Sequence, residues 1–364
     1  MSEIQSVKLL RTLLGVHLNW HGARLDFLAR FILALLQVRS VNLARLAPVL
    51  SVRAKTSSNY IRLQRFFRQF VIDQADIART VASLLPKEIP WILTLDRTNW
   101  KLGRAEINLL VLGVAYRGLA IPLFWTALPK AGNSNTAERR ALLTRWQQTF
   151  PTRRVAYLLA DREFVGRDWI GYLLTHRIPF RLRLKADAQL TGTCGTYPLL
   201  QEFQNLRVEQ TRVLRQPRRL WGHALYLSAK RLEDGEWLLI ASNAYAHQAV
   251  AEYAVRWTIE TLFAALKTHG FHLEDTHLTQ PARVERLLAL LTLTAVWAVQ
   301  VGLWGHEQQP IPQKKPCNDL NSVSSAMDSM RSSAWLQNWP RAAPNSSVSW
   351  DSSSTGDPSR WLVT

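Results

Sequence analysis

The chain predicts an α/β fold with a mixed sheet, preceded by a helical N-terminal domain and interrupted by a β insertion. Three observations predict it. Apolar residues recur with helical spacing from the start to about residue 85; from Pro90 the pattern changes to short runs rich in Ile, Val, Leu and aromatics; from Gln248 long helical spacing returns after a β-rich stretch. Strands in succession, a helix, two more strands and then helices make an α/β layer architecture.

The first region, residues 1–88, carries Leu9, Leu10, Leu13, Leu14 and Val16, then Phe27, Leu28, Phe31, Ile32 and Leu35, then Leu43, Leu46 and Leu50, which predict three or four short helices. In KTSSNYIRLQRFFRQF, Ser57 and Ser58 suit an N-cap, and Arg62, Arg65 and Arg68 follow at steps of three on one helical face. That face suits DNA phosphates; a solvated charged face on a packed helix is the plainer alternative.

Residues 89–187 read as the first part of the core. WILTLD (91–96), INLLVLGVAY (107–116) and IPLFWTAL (121–128) predict three strands, Thr136 to Gln147 a helix, VAYLLA (155–160) a strand that stops at Asp161, and Asp168 to Thr175 a further helix. In PFRLRLKAD, Phe180, Leu182 and Leu184 alternate with Arg181, Arg183 and Lys185, which predicts a strand with one basic and one buried face. Residues 188–247 predict a small β insertion with a hairpin at Glu233-Asp234-Gly235-Glu236. Residues 248–310 predict two long helices, one to about Lys267 and one from about Pro281 to Trp304. The final segment, 311–364, loses both periods; 13 of its last 44 residues are Ser, and it predicts a disordered tail.

The charge narrows the class of partner. There are 45 Lys+Arg against 27 Asp+Glu, a formal net charge of +18, which points to a polyanionic partner. The tail carries five basic and four acidic residues, so +17 belongs to residues 1–310. Basic residues are spread along the chain and interleaved with 15 Trp, 8 Tyr and 12 Phe, rather than gathered on one amphipathic helix, which points to nucleic acid and away from a membrane surface. The uncharged stretch from Leu287 to Gly305 contains Thr292, Thr294 and Gln300, which predicts a buried core helix rather than a membrane span. Two cysteines, Cys194 and Cys317, exclude a disulfide framework and a multi-cysteine zinc site, and the start lacks the pattern of a signal peptide, so a cytoplasmic location is expected.

Chemistry concentrates at a few acids. Two apolar strands each deliver a carboxylate, Asp96 and Asp161, to the strand end where open α/β sheets place ligands. One such Asp is more often a turn former or helix cap, but two on adjacent parallel strands make an oxygen-only site suited to Mg²⁺ or Mn²⁺. On the helix from Gln248, Tyr253, Arg256, Glu260 and Lys267 fall on a stripe about 60° wide at roughly 100° per residue. Most of the remaining helix is apolar. Pairing of Arg256 with Glu260 accounts for these charges but not for their apolar surroundings, so the stripe faces a ligand or internal cavity.

The spacing Tyr253-x2-Arg256-x3-Glu260-x6-Lys267, together with Asp96 and the tetrad Asp161-Arg162-Glu163-Phe164, resembles the DDE transposases of the bacterial insertion-sequence-four family. The resemblance runs from about residue 50 to about 305 and includes His272-Leu273-Glu274-Asp275-Thr276-His277. It implies an RNase H-like core, Asp96, Asp161 and Glu260 as catalytic and metal-binding residues, and a pair of Mg²⁺ or Mn²⁺ ions. It further implies Tyr253, Arg256 and Lys267 as holders of DNA-end phosphates. Arg162 is read as a further phosphate contact or, equally, a structural ion pair. Some family members stack an extruded base on a tryptophan, for which Trp237 leads Trp221 and Trp257 because it lies on the insertion hairpin, although a core tryptophan is the commoner explanation. Arg212, Arg215, Arg218 and Arg219 suit phosphate contact. The implied activity is cut-and-paste transposition: binding of terminal inverted repeats, strand cleavage and transfer to target double-stranded DNA, by a homodimer in a nucleoid-associated complex of a bacterial cell.

The tail departs from this pattern. Gln313-Lys314-Lys315 begins the basic segment such proteins carry, and Ser-rich sequence then replaces it. Ser325 to Met330 can be encoded so that reading one nucleotide earlier gives Phe-Arg-Tyr-Gly-Leu-Asp, which predicts a frameshift near 315. The alternative function is then a catalytically unproductive copy that only binds ends.

Overall fold

Five helices, rather than three or four, precede the first strand: α1 (Glu3–His17), α2 (Gly22–Val38), α3 (Leu43–Leu50), α4 (Thr56–Gln69) and α5 (Gln74–Ser83). The computed structural model describes residues 3–102, 105–267 and 270–308, so the tail and its frameshift lie outside the described residues. Side chains that satisfy the first free amides open α2, α3 and α5: His21, Asn42 and Asp73 accept from Ala23, Ala44 and Ala75. α2 closes at Arg39, whose φ of 54° turns its N–H back to the Leu35 carbonyl. Ser57 and Ser58 do not cap α4. Lys55 occupies that position without a side-chain bond, and the serines sit exposed in the first turn. The α3–α4 turn is instead held from inside: buried Asn59 donates to the carbonyls of Ala47 and Ser51, both at 2.9 Å.

The core sheet begins with β1 (Trp91–Leu102), β2 (Ala105–Tyr116) and β3 (Leu119–Leu128), an antiparallel meander. Arg117 and Gly118, at φ 50° and 76°, make the two-residue turn whose twist matches the β2–β3 hairpin. α6 (Thr136–Thr149) starts in a reciprocal capping box between Asn135 and Glu138. β4 (Val155–Ala160) then runs parallel to β1, and after α7 (Arg167–Thr175) β5 (Phe180–Arg183) runs parallel to β4. The resulting order is β3-β2-β1-β4-β5.

The β-rich stretch extends this sheet rather than standing apart from it. Its strands are β6 (Gln189–Gly192), β7 (Gly195–Pro198), β8 (Thr211–Val213), β9 (Arg218–Leu220), β10 (His223–Arg231) and β11 (Trp237–Ser242), and β11 pairs antiparallel with β5. The β10–β11 hairpin forms at the expected place, with Gly235 at φ 82° and the Asp234 carboxylate accepting from the Glu236 amide. On β5, Phe180, Leu182 and the following Leu184 are buried as alternation predicts, but Arg181 is buried as well. It bonds Glu252 and lies 5.2 Å over the Tyr157 ring, whose phenol burial and Glu252 push up to about 12.

The single helix expected from Gln248 is two, α8 (Ala249–Ala254) and α9 (Trp257–Leu266). Between them the hydrogen bonds tighten to three-residue steps, Arg256 N–H to Tyr253 O at 2.9 Å and Ile259 N–H to Arg256 O at 3.1 Å. Val255 and Arg256 keep right-handed helical backbone angles, so the stripe survives the break. α10 (Pro281–Gln308) fastens the N-terminal helices to the sheet: Arg286 donates to Phe67 O at 2.6 Å, Gln300 to Leu84 O at 2.9 Å, and Trp125 on β3 donates to Glu285 O at 3.1 Å. Its residues from Leu287 to Val299 are buried, and one apolar core runs from Val7 through the sheet to Val299. Among the described residues no single helix is long and apolar enough to cross a membrane.

Candidate active site and nucleic-acid surfaces

Asp96 is not at the end of its strand, because β1 continues to Leu102 on the β2 side. What ends there is the parallel ladder: Leu95 pairs with Ala160 as the last rung between β1 and β4, and Asp96 and Asp161 are the next residues on the two chains. Neighbouring strands lie about 4.8 Å apart, so the two acids come side by side where the strands separate. Asp96 Oδ1 accepts from the Arg97 amide at 2.7 Å, and Oδ2 lies 3.5 Å from an Arg256 nitrogen. Burial pushes the Asp96 carboxyl up to about 6; Glu163 and Asp161 add to the rise, while the Arg97 amide and the Arg256 charge oppose it. Asp161 Oδ1 accepts from the Tyr253 hydroxyl at 3.4 Å and faces Arg183 at 3.8 Å.

The helical stripe reaches these acids in order. Tyr253, 5 % exposed, belongs to a small apolar cluster with Tyr157, Leu159 and Ile240, and burial raises its phenol well above the ordinary value. Arg256, 8 % exposed, bonds Glu260 Oε1 at 2.5 Å as well as facing Asp96. Burial alone would lower the guanidinium, but the charges of Tyr253, Glu260 and Asp161 outweigh it and raise it. Lys267 lies further along β1, donating to Asn99 O at 3.0 Å and pairing with Glu274 at 3.1 Å. The structure therefore brings Asp96, Asp161, Tyr253, Arg256 and Glu260 into one constellation and places Lys267 at its far edge.

The carboxylate set suits a hard divalent ion by chemistry, since its donors are all oxygen. Among the described residues no three His, Cys, Asp or Glu side chains converge as a metal cage, and Arg256 supplies the positive charge shared by Asp96 and Glu260.

The tetrad after β4 divides its work. Arg162 is exposed and makes no ion pair among the described residues. It lines a cleft of about 670 Å³ with Arg183, Lys185, Glu236 and Trp237. The structural ion pair belongs to Glu163, which holds Arg97 at 3.2 Å, and Arg97 also bonds Asn108 and Asn133. Phe164 is buried with the Arg139 guanidinium 4.8 Å over its ring. Arg97 escaped the sequence reading, since it differs from other arginines only in adjoining Asp96; for Arg183 the alternation marked its basic face but not its facing acid.

Of the tryptophans, Trp237 is partly buried on the hairpin beneath Arg231 at 4.3 Å, whereas Trp257, next to Arg256, is 57 % exposed. On α4, Arg62 is engaged with Asp26 at 3.6 Å and lies over Phe27, leaving Arg65 and Arg68 exposed without an ion pair among the described residues. In the β extension, Arg218 pairs with Glu202 at 2.7 Å and Arg212 donates to the Glu202 carbonyl, while Arg215 and Arg219 stay exposed.

A family model described as a transposase DDE domain matches residues 90–297. No curated protein matches the chain in sequence. Among solved structures, the piggyBac transposase synaptic complex with hairpin DNA, determined by cryo-EM, is similar at 12% identity and a TM-score of 0.46, covering 94% of this chain and 80% of that one. Endonuclease V from Bacillus subtilis is similar at 12% identity and a TM-score of 0.23, covering 68% and 98%.

Proposed function

The chain belongs to the transposase DDE domain family, and from that premise we propose that it is the transposase of a bacterial insertion sequence, of the Tyr-Arg-Glu-Lys type, acting by cut-and-paste. The observation that carries this reading is the placement of Asp96 and Asp161 just past the last β1–β4 rung, with Arg256 bridging Asp96 to Glu260. The strand order β3-β2-β1-β4-β5, with β4 and β5 parallel to β1, supports an RNase H-like core.

In this reading Asp96, Asp161 and Glu260 would hold two Mg²⁺ or Mn²⁺ ions. When bound, the ions supply activation of an attacking oxygen and neutralisation of charge on the leaving oxygen of a phosphodiester. The protein's own groups orient and grip. Tyr253 holds the Asp161 carboxylate through its hydroxyl, and Glu163 with Arg97 fixes the loop that carries Asp161 against β1. Arg162, Arg183 and Lys185 line the adjoining cleft, where cations suit a DNA backbone and Trp237 a base face. Exposed Arg65 and Arg68 offer a second phosphate surface on α4, and Lys267 a point charge at the site's edge. The partners are terminal inverted repeats, target duplex and a second copy of the chain in a nucleoid-associated complex.

The test is the purified protein on duplexes carrying the inverted repeats that flank its gene, with Mg²⁺. Cleavage and strand transfer support the proposal. Binding without cleavage favours the unproductive copy that the Ser-rich tail suggests, and cleavage without end preference favours a nuclease on the same core. Glu260→Gln must remove cleavage; unchanged cleavage in that variant overturns the triad.

A further inference from the structure

Arg256 is placed where a cation is needed. Its NH1 lies 3.5 Å from Asp96 Oδ2, its NH2 bonds Glu260 Oε1, and its guanidinium lies 5.6 Å from the Tyr253 ring centre. It thus links two of the three acids that the proposed function assigns to metal. We propose that Arg256 is a resident counter-ion of the DNA-free protein, which leaves Asp96 and Glu260 for a DNA phosphate when an end binds, so that divalent-ion uptake is coupled to DNA.

The pairing satisfies Arg256 incompletely. Its Nε is buried with no hydrogen-bond partner among the described residues. A buried N–H without an acceptor is costly, so this arrangement is one that a better acceptor can displace. A phosphate is such an acceptor, because it takes a guanidinium in a bidentate grip. The way out is short: Glu260, whose carboxylate Arg256 holds, keeps about a third of its side chain exposed. Arg256 also sits on the tightened turn between α8 and α9, where the helical ladder is already interrupted.

A guanidinium and a divalent ion compete for the same two carboxylates, since each repels the other at such distances. Moving Arg256 onto a phosphate frees both acids and removes that repulsion. Metal and DNA then favour one another reciprocally, as linked ligands must. The inference rests on Asp96 and Glu260 being metal ligands, and the experiment separates its failure from the failure of that assignment.

Mn²⁺ binding by the full chain is measured from the electron-paramagnetic-resonance signal of the free ion, with and without a duplex carrying the flanking repeat. Wild-type protein is expected to bind Mn²⁺ about tenfold more tightly with the duplex. Arg256→Ala is expected to gain about that factor without DNA and to lose most of the DNA effect. Arg256→Lys, which keeps the charge but not the fork, falls between them and serves where the alanine variant does not fold. DNA-free affinity in both variants equal to or weaker than wild type overturns the proposal. Asp96→Asn tells which part has failed: if it abolishes Mn²⁺ binding while the Arg256 variants change nothing, the counter-ion role alone is wrong. If Asp96→Asn binds Mn²⁺ like wild type, the metal assignment is wrong and the coupling falls with it.

Discussion

Leu95 and Ala160 form the final rung of the parallel β1–β4 ladder, and the residue after each is an aspartate. This relationship sets the separation of Asp96 and Asp161 by backbone hydrogen bonding, not by side-chain choice. Replacing either acid by its amide keeps the rung. Asp96→Asn and Asp161→Asn are therefore expected to retain duplex binding in a mobility-shift assay while cleavage falls by about 10²–10³-fold or more. A parallel loss of binding and cleavage would show that these acids support the fold instead.

The α4 face separates a structural arginine from two available ones. Arg62 is spent on Asp26 and Phe27, so Arg62→Ala is expected to lower the unfolding midpoint. Arg65→Ala and Arg68→Ala leave the midpoint near wild type, weaken DNA binding and each reduce the slope of log affinity against log salt by about one. Slopes unchanged in both variants would remove α4 from the DNA surface.

Asn59 is a buried amide with two carbonyl partners, at Ala47 and Ser51. Asn59→Ala leaves both without that donor and is expected to cost about 2 kcal/mol in denaturant unfolding. If α4 depends on this bond for its placement, end binding weakens in the same variant before global unfolding sets in.

Glu202 tests the β extension by pH. Its hydrogen bond from Arg218, chiefly, holds the carboxyl below its ordinary value, with Tyr197 and the Arg212 charge assisting against burial. An acid depressed in the folded state contributes stability above its unfolded pKa, and that contribution is lost as pH falls through the folded value. Glu202→Gln is expected to melt earlier than wild type at pH 7, by the equivalent of about 0.5–1 kcal/mol, with the difference closing as pH falls below about 4. A difference independent of pH would assign the effect to packing.

The sequence carried the repeating parts of this fold and missed the relations between distant parts. β4 matches its predicted limits because Val155–Ala160 is a short apolar run closed by Asp161. β1 outruns its prediction because DRTNWKL is polar yet paired rung by rung with β2, a tertiary effect that strand propensity does not encode. The helix after Gln248 was legible as a stripe, and Tyr253, Arg256 and Glu260 do share a place, but its break at 255–256 leaves no proline or glycine as a signal. Arginines were the least legible residues. Arg62, Arg181 and Arg218 all read as DNA-facing or basic-face groups, and their acids lie 36, 71 and 16 residues away in the chain.

The pairing of β11 with β5 has a mechanical consequence. Arg183 and Trp237 stand on neighbouring strands of one hydrogen-bonded sheet, with Ile240 opposite Arg183, so the base of the cleft between them is fixed by backbone pairing. In the proposed function a duplex end seated there rests on a backbone-paired floor, and part of the bending or unstacking needed to seat it falls on the nucleic acid. Easily melted end sequences should then be favoured over rigid ones even at positions no side chain reads.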